Sequence, residues 1–263
     1  MPPSHSRPAH KLPIQRFSNR VDNYIRYRPS YPQEVLLLLQ AETGLTSDCK
    51  IADIGSGTGI SSQLFLQNNN VVFGVEPNLE MRQASKRLLQ TYPRFHSVEG
   101  TAESTTLASH AVDYAIAAQS FHWFHPQQAQ AEFARILKPN GWVVLMWNAR
   151  CKTSTPFLKE YEALLQQYGT DYGEIRRRHP KIKALKLFFA ASSFELRQFA
   201  NEQRFDFAGL KGRLLSSSYT PTEGHANFQP MLQELERIFA AYQNDGLVRF
   251  EYDTQVYFGR LAG

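Results

Sequence analysis

The sequence predicts an open α/β fold in which helices cover a mostly parallel β-sheet. Apolar runs of strand length alternate with helical patterns between residues 50 and 148, and this alternation implies parallel strands joined by right-handed crossovers. The first run, Lys50–Ile54, leads through a glycine-rich turn into a helical segment, Ile60–Gln67. Ligands gather at the carboxyl ends of the strands in such sheets. We therefore expect a ligand site at this edge of the sheet.

The segments on either side of this region follow from the same patterns. Before it, we expect a short helix over Phe17–Tyr27 and a second helix that Pro32–Glu34 opens and that runs towards Gly44. After it, the patterns predict two helices, a strand, a further helix and a terminal alternating strand, at Pro156–Tyr168, Lys183–Ala190, Phe194–Phe205, Phe228–Tyr242 and Leu247–Phe258. These later segments are candidate cap and closing elements.

Length and composition favour a single domain. The chain has 263 residues, of which 42% are hydrophobic, so it can bury one sizeable core over residues 15–263. Within it we expect a cofactor-binding core at 50–148 and cap insertions with closing elements at 149–245. The formal charge of +5 permits an anionic substrate or nonspecific attraction to nucleic acid but requires neither. The densest basic stretch, Arg176–Lys183, is interpreted as a solvated face, with an anion-recruiting rim as the alternative.

The N-terminal residues and the cysteines bear on location. Residues 1–14 are rich in Pro, Ser and His and lack the apolar segment of a secretory signal, which predicts a disordered tail. No apolar run approaches the roughly 20 residues of a membrane-spanning helix. Cys49 and Cys151 supply neither a disulfide framework nor a paired metal-ligand spacing. We expect a cytoplasmic protein with no membrane partner, present as a monomer or a homodimer.

The spacing of the glycines distinguishes two classes of cofactor. Dinucleotide sites use G-x-G-x-x-G, whereas this turn has Gly55, Gly57 and Gly59, with Asp53 near the end of the preceding strand. The next predicted strand ends in Glu76, where a ribose-binding carboxylate falls in a βαβ unit. The spacing therefore weakens the interpretation as a nicotinamide dinucleotide site.

The D-x-G-x-G-x-G pattern resembles the first motif of class I S-adenosylmethionine-dependent methyltransferases. Further segments follow in the order of that family, at Val71–Met81, Phe95–Glu103, Val112–His125 and Arg135–Trp147, with strands expected at Phe95–Thr101 and Val143–Trp147. The stretches Tyr24–Pro32, Gln119–Phe124 and Gly212–Tyr219 resemble the methyltransferase-11 type, including trans-aconitate methyltransferase-like proteins. The resemblance covers roughly residues 15 to 260. It implies a Rossmann-like fold with a mostly parallel seven-stranded sheet, an antiparallel last strand and a helical cap.

The resemblance also implies which residues hold S-adenosylmethionine and its product S-adenosylhomocysteine. They are Arg28, Asp53, Gly55, Ser56, Gly57, Thr58, Gly59, Glu76, Pro77, Asn78, Met81, Thr101, Ala102, Glu103 and Gln119. Glu76 is expected at the ribose hydroxyls, and Met81 near the adenine or simply in the core. The family often has Asp where Thr101 stands, so this position departs from its pattern.

His122 and Tyr24 are the candidate catalytic residues. His122 follows the fourth strand, and imidazole is the side chain best suited to act as a base near neutral pH. The alternatives are packing against the next helix and contact with the substrate without acid–base work. The resembling enzymes fold their N-terminal segment over the pocket, which places Tyr24 and Arg28 near the cofactor or the acceptor. The alternative is that Tyr24 is a core aromatic and Arg28 an exposed cation. No third ligand lies near His122 and His125, so no metal is expected.

Candidate acceptor-binding residues are Trp123, Trp147, Ser218 and Tyr219. A turn before Pro221 is the alternative explanation for the last two, and Trp147 fits a wall better than a catalytic group. The chain is thus expected to move a methyl group by in-line displacement to a small molecule, at a carboxylate or hydroxyl. A catalytically silent cofactor-binding protein is the alternative. A nucleic-acid methyltransferase ranks lower, because Gln119–His122 replaces the Asn/Asp-Pro-Pro-Tyr/Phe type of loop, and no obligatory nucleic acid partner is expected.

Overall fold

The computed structural model describes residues 21–173, 182–189 and 193–261. The elements within these ranges are α1 (Val21–Tyr27), α2 (Glu34–Thr43), β1 (Lys50–Ile54), α3 (Ile60–Gln67), β2 (Val71–Val75), α4 (Leu79–Leu88), β3 (Phe95–Val98), β4 (Val112–Ala118), α5 (Pro126–Ile136), β5 (Leu137–Arg150), α6 (Pro156–Tyr168), α7 (Ile182–Phe188), β6 (Phe194–Phe205), α8 (Phe207–Leu215), α9 (Phe228–Tyr242) and β7 (Val248–Gly259). The predicted tail, 1–14, lies outside the described residues, as does most of the basic stretch Arg176–Lys183.

In the described part of the chain, seven strands form one sheet in the order β3-β2-β1-β4-β5-β7-β6. Strands β1 to β5 run parallel to one another, whereas β7 runs antiparallel to both β5 and β6. The predicted fold, a mostly parallel seven-stranded sheet with an antiparallel last strand, is confirmed. Chain order reverses where β1 lies between β2 and β4, and Asp53 on β1 pairs with Gly74 on one side and Ile116 on the other. A crevice is expected outside the carboxyl ends of these strands.

Three hydrophobic clusters hold the elements together. Successive residues of β4 face opposite sides of the sheet, so that Ala115 packs in one cluster and Tyr114 and Ile116 in the other. The third cluster joins α6, α8 and α9 to Phe250 and Tyr252 of β7. Helices α6, α8 and α9 therefore pack on the antiparallel end of the sheet.

The expected helices at Pro156–Tyr168 and Phe228–Tyr242 and the strand at Phe194–Phe205 have the predicted bounds. Two expectations were wrong in extent, because β3 ends at Val98 instead of Thr101 and β5 runs over Leu137–Arg150 instead of Val143–Trp147. Helix α8 was missed.

The reason that α8 was missed lies in its glycines, which lower helix propensity. A Cβ added at Gly212 would lie 2.0 Å from Cε2 of Tyr27. Glycine at this position therefore lets α1 approach α8 closely, a packing reason that the local sequence pattern does not reveal.

Candidate active site

The three glycines after β1 all adopt left-handed backbone conformations, with φ of +70° at Gly55, +56° at Gly57 and +87° at Gly59. A Cβ at Gly55 would lie 2.6 Å from Cβ of Ser120, and one at Gly59 would lie 2.5 Å from Cδ1 of Leu89. A Cβ at Gly57 would meet nothing within 4 Å. The outer two glycines are thus required by protein packing, whereas the middle one leaves open space into which a ligand can approach the backbone.

Polar side chains around this turn are buried with unused hydrogen-bonding capacity. Asp53 is fully buried, and its Oδ2 accepts bonds of 2.7 Å from Ser61 Oγ and 2.6 Å from Ser62 Oγ. Asp53 Oδ1, Ser56 Oγ and Thr58 Oγ1 are buried and have no hydrogen-bond partner among the described residues. Burial raises the pKa of Asp53, although the two serine hydroxyls oppose that shift. Buried polar atoms without partners are rare in proteins, so this turn is suited to a polar ligand.

Glu76 ties the end of β2 to the same turn. Its Oε2 accepts a 3.0 Å bond from the backbone N–H of Gly57, and its Oε1 accepts a 2.9 Å bond from that of Asn78. Burial raises the pKa of Glu76, with these two backbone donors acting in the opposite direction. The carboxylate therefore lies at the glycine that is open to a ligand.

The other residues predicted on the adenosine side lie near the ends of β2 and β3, outside the main cavity. Asn78 caps α4 by accepting a 2.9 Å bond from the backbone N–H of Met81, and Met81 is buried. Thr101 is exposed, Ala102 is buried, and Glu103 Oε1 accepts a 2.8 Å bond from the backbone N–H of His125. These interactions are structural, and they place no side chain of the loop in the cavity.

A cavity of about 300 Å³ opens at the carboxyl ends of β1, β4 and β5. The predicted site residues that line it are Arg28, Gly55, Ser56, Gly57, Thr58, Gln119, His122, Trp123, Trp147, Ser218 and Tyr219. Predicted residues that do not line it are Asp53, Gly59, Glu76, Pro77, Asn78, Met81, Thr101, Ala102 and Glu103. The backbone of Tyr24 lies in α1, and its side chain is outside the described part of the structure.

The loop after β4 forms one wall of this cavity. Gln119 has a φ of +58°, and its backbone N–H donates a 2.9 Å bond to Met146 O. Ser120 Oγ donates a 2.7 Å bond to Ile54 O, which anchors the loop beside the glycine turn. The next residues, Phe121–Trp123, form a 3₁₀ helix in which the rings of His122 and Trp123 are 4.8 Å apart. His125 is the N-cap of α5, which begins at Pro126.

The opposite wall contains residues that sequence reasoning missed, namely Arg150, Lys152, Tyr172 and Arg213. Arg150 ends β5, and its Nη2 bonds to Glu162 of α6 and donates a 2.8 Å bond to Tyr172 Oη. Tyr172 Oη in turn donates a 2.6 Å bond to Glu162 Oε2. The position of Arg150 at a strand end was a usable signal. Tyr172 offered none, because it lies between α6 and α7, in a stretch that carries none of the family motifs.

Tyr219 lies between three guanidinium groups on this wall. Burial opposes ionisation of its phenol, but the positive charges of Arg213, Arg150 and Arg28, together with the Ser217 hydroxyl, outweigh burial and lower the pKa of Tyr219. Arg28 is held in place by a 2.9 Å bond from its Nη2 to Ser216 O. This wall is therefore strongly positive.

Comparison with known proteins agrees with the fold and the turn. A family model described as a methyltransferase domain matches residues 52–145. An uncharacterised methyltransferase of Schizosaccharomyces pombe is 27% identical over 248 residues, which cover 92% of this chain and 95% of that protein. An uncharacterised methyltransferase of Mycobacterium tuberculosis is 36% identical over 135 residues, and this match spans about half of each chain, 51% and 52%. A structure described as a type II methyltransferase from Anaeromyxobacter dehalogenans has a TM-score of 0.65 at 21% identity, covering 90% of this chain and 100% of that one.

The sheet order, the glycine turn and the family match define the class of protein, a class I S-adenosylmethionine-dependent methyltransferase. The methyltransferase domain that the family model describes lies at residues 52–145 of this chain. S-adenosylmethionine is accordingly its cofactor. The likeness to trans-aconitate methyltransferases stays a prediction.

The described ranges of the chain also bear on two other kinds of site. No group of three or more His, Cys, Asp and Glu side chains in these ranges could hold a metal ion. None of the helices that the structure describes is both long enough and apolar enough to cross a membrane.

Proposed function

We propose that the chain transfers the methyl group of S-adenosylmethionine to a small molecule bound in the cavity beside the glycine turn. The observation that carries this proposal is the cavity itself, because the open glycine Gly57, the loop residue His122 and the distant Tyr219 all line it. Two ligands can therefore meet there. A volume of about 300 Å³ suits small ligands.

The residues around the turn fit the cofactor. Ser56 and Thr58 present buried hydroxyls without protein partners, and Gly57 leaves room for a ligand against the backbone. We assign these three residues to the amino-acid part of the cofactor. Glu76, next to Gly57, is assigned to the ribose hydroxyls, and the region of Met81 and the loop 101–103 to the adenine. We assign Asp53 a supporting role, because its carboxylate accepts hydrogen bonds from Ser61 and Ser62, which follow the turn.

S-adenosylmethionine supplies a methyl group on a sulfonium, which is already activated for in-line displacement. The protein then has to position the two ligands and keep water out. Trp123 and Trp147 contribute apolar surface to the cavity wall. Tyr24 and Arg28 belong to the N-terminal segment, which we propose closes over the cavity.

The acceptor atom is proposed to be a carboxylate or a hydroxyl oxygen. A carboxylate is already ionised at neutral pH and needs no base, whereas a hydroxyl has to lose its proton. His122 and the Oη of Tyr219 both line the cavity and are the two groups that could take this proton. Because arginines lower the pKa of Tyr219, its phenolate is more accessible than that of an ordinary tyrosine.

Calorimetric titration with S-adenosylmethionine, S-adenosylhomocysteine and NAD tests the cofactor site. We expect the first two to bind and NAD not to bind. Asp53→Ala and Glu76→Ala should each weaken binding, whereas Glu80→Ala, which removes an exposed carboxylate on α4, should not. Equal affinity in all three variants would sink the residue assignments.

Radiolabelled methyl transfer to a panel of small carboxylic acids, alcohols and amines, with RNA and DNA included, tests the acceptor. We expect products with carboxylates or hydroxyls. Methylated nucleic acid would redirect the proposal, and cofactor binding without transfer to any acceptor would favour a catalytically silent protein.

A further inference from the structure

The charged residues that line the cavity all carry the same sign. Four cationic side chains line it, Arg28, Arg150, Lys152 and Arg213, and none of its described lining residues is Asp or Glu. Cations concentrated in a partly buried wall attract anions far more strongly than the same charges on an open surface. The positive charge of the cavity therefore bears on which ligand it binds rather than on the solubility of the protein.

Arg213 is the most unusual of these cations. It is only 5% exposed, and its guanidinium carbon lies 5.4 Å from the ring centroid of Phe250 and 5.9 Å from that of Tyr252. Its hydrogen bonds go to neutral groups, 3.0 Å from Nε to Tyr252 Oη and 3.2 Å from Nη1 to Ser217 Oγ. Within the described ranges, no carboxylate forms an ion pair with it. A buried cation without a counter-ion is costly, so an external anion would stabilise this arrangement.

Arg150 has a partner and yet keeps a donor unused. Its side chain is 9% exposed and pairs with Glu162 through Nη2. Its Nη1 is buried and has no hydrogen-bond partner among the described residues. Its guanidinium carbon lies 6.0 Å from the centroid of Phe250, the same ring that Arg213 contacts. Two guanidinium groups thus lie within 6.0 Å of the centroid of one aromatic ring. Among the described residues, the carboxylate of Glu162 offsets one of their two positive charges.

The place of this pair in the fold assigns it to the acceptor rather than to the cofactor. Arg150 ends β5, two strands from β1 and the glycine turn, which at about 4.8 Å per strand is about 10 Å away. The adenosine side, marked by Glu76, extends the other way, towards β2 and β3. Arg213 reaches the cavity from α8, beyond β5.

We infer that Arg150 and Arg213 form a binding site for a carboxylate of the methyl acceptor, so that the substrates of this enzyme are small organic acids. The inference rests on the proposed function and names its substrate class. Guanidinium groups bind carboxylates through paired, charge-assisted hydrogen bonds, which makes them better suited to this task than lysine. The methionine carboxylate of the cofactor has the same chemistry, and the experiment below distinguishes the two sources.

The direct test is calorimetric titration of the full chain, with and without S-adenosylhomocysteine, using succinate, glutarate and tricarballylate against their neutral amides. We expect at least one acid to bind and its amide to bind on the order of 10- to 100-fold more weakly, the loss for hydrogen bonds to a charged group. Arg213→Met should cause a similar loss. Arg213→Lys should retain part of the affinity, and Arg249→Met, which removes an exposed cation from β7, should retain all of it.

A spectroscopic titration of the unmodified protein gives a second readout that no folding defect can mimic. Because Arg213 and Arg150 lower the pKa of Tyr219, a bound acid that offsets their charge should raise it, and phenolate absorbance should appear at higher pH. The matching amide should leave the titration unchanged. The variant Tyr219→Phe identifies the phenol that is observed.

Three results would overturn the inference. One is that no acid in the panel binds more tightly than its amide. Another is that Arg213→Met weakens S-adenosylhomocysteine and leaves the acids unaffected, which would assign the arginine to the cofactor. The third is an unchanged phenolate titration in the presence of a saturating acid. If S-adenosylhomocysteine fails to bind the unmodified protein, the proposed function fails, whereas acid binding is still measured in its absence.

Discussion

Carboxyl groups are buried at both ends of the cavity, but their pKa values shift in opposite directions. At the cofactor end, burial raises the pKa of Asp53 and of Glu76. At the acceptor end, burial is outweighed by Tyr172 and Arg150, which lower the pKa of Glu162. The pKa of Tyr219 is likewise lowered, by the positive charges of Arg213, Arg150 and Arg28. Burial alone therefore does not set the charge of a site, since its neighbours decide which form is favoured.

The two ends also differ in the kinds of polar side chain that they contain. A sulfonium carries a positive charge, and the end that would receive it contains carboxyl groups and unpaired hydroxyls. The acceptor is proposed to be an anion, and its end contains guanidinium groups. The two halves also differ in construction, since the first comes from one continuous βαβ segment and the second from β5, α8 and the segments around Tyr172 and Tyr219.

The largest effect is expected at Glu162, the buried counter-ion of the acceptor end. Glu162→Gln should lower the free energy of unfolding by about 3–5 kcal/mol, because it leaves Arg150 buried without a carboxylate. Urea denaturation measures this loss. An acid from the panel above should restore part of it by supplying the missing negative charge.

Glu160→Gln on the same helix is the matched control. Glu160 pairs with Arg237 at the surface, with side chains 35% and 55% exposed, so its loss should cost about 1 kcal/mol or less. Equal losses for the two variants would contradict the view that the acceptor end depends on a buried charge balance.

The second effect concerns the glycines of the cofactor end. Gly55→Ala should destabilise the fold by about 2–4 kcal/mol, because a left-handed backbone is combined with a Cβ at 2.6 Å from Ser120. Gly57→Ala has a similar φ but open space, so its cost should be only about 1–2 kcal/mol. Its S-adenosylhomocysteine affinity should nevertheless fall, as calorimetry can measure. Similar stabilities for the two variants would show that packing does not distinguish these glycines.

The two ends of the cavity also differ in how much of their structure could be predicted from the sequence. The alternation of strands and helices could be predicted from the apolar pattern, and the turn at Gly55–Gly59 and the acid Glu76 could be predicted because each follows a local sequence pattern. Arg213 could not be assigned to the cavity, because its place depends on α8 packing against Tyr27 and on a ring from β7. Asp53 was predicted as a cofactor residue, and the structure places it beneath the turn, bonded to Ser61 and Ser62. A sequence motif therefore identifies a residue of the site, but it does not tell whether the side chain contacts the cofactor or supports the turn.

A third, smaller effect should separate the two ends by ligand. Glu76→Gln removes a charge near the open glycine and should weaken S-adenosylhomocysteine by about tenfold, the value of one hydrogen bond to a charged group. It should leave binding of the organic acids unchanged. Arg213→Met should show the opposite pattern. Parallel losses for both ligands in either variant would show that the two ends are not independent.

The smallest expected effect is on the pH dependence of stability at Asp53. Its pKa in the folded protein is raised above the ordinary value of 3.8, so the folded state holds a proton that the unfolded state has already lost. Folding stability should therefore fall as pH rises from that value through the folded pKa. In Asp53→Asn this contribution is absent, and the urea midpoint should depend less steeply on pH over the same window. Ser62→Ala removes a donor to the ionised form, raises the pKa further and should extend the fall to higher pH. Parallel pH curves for the three proteins would mean that Asp53 is equally ionised in the folded and unfolded chain, despite its complete burial.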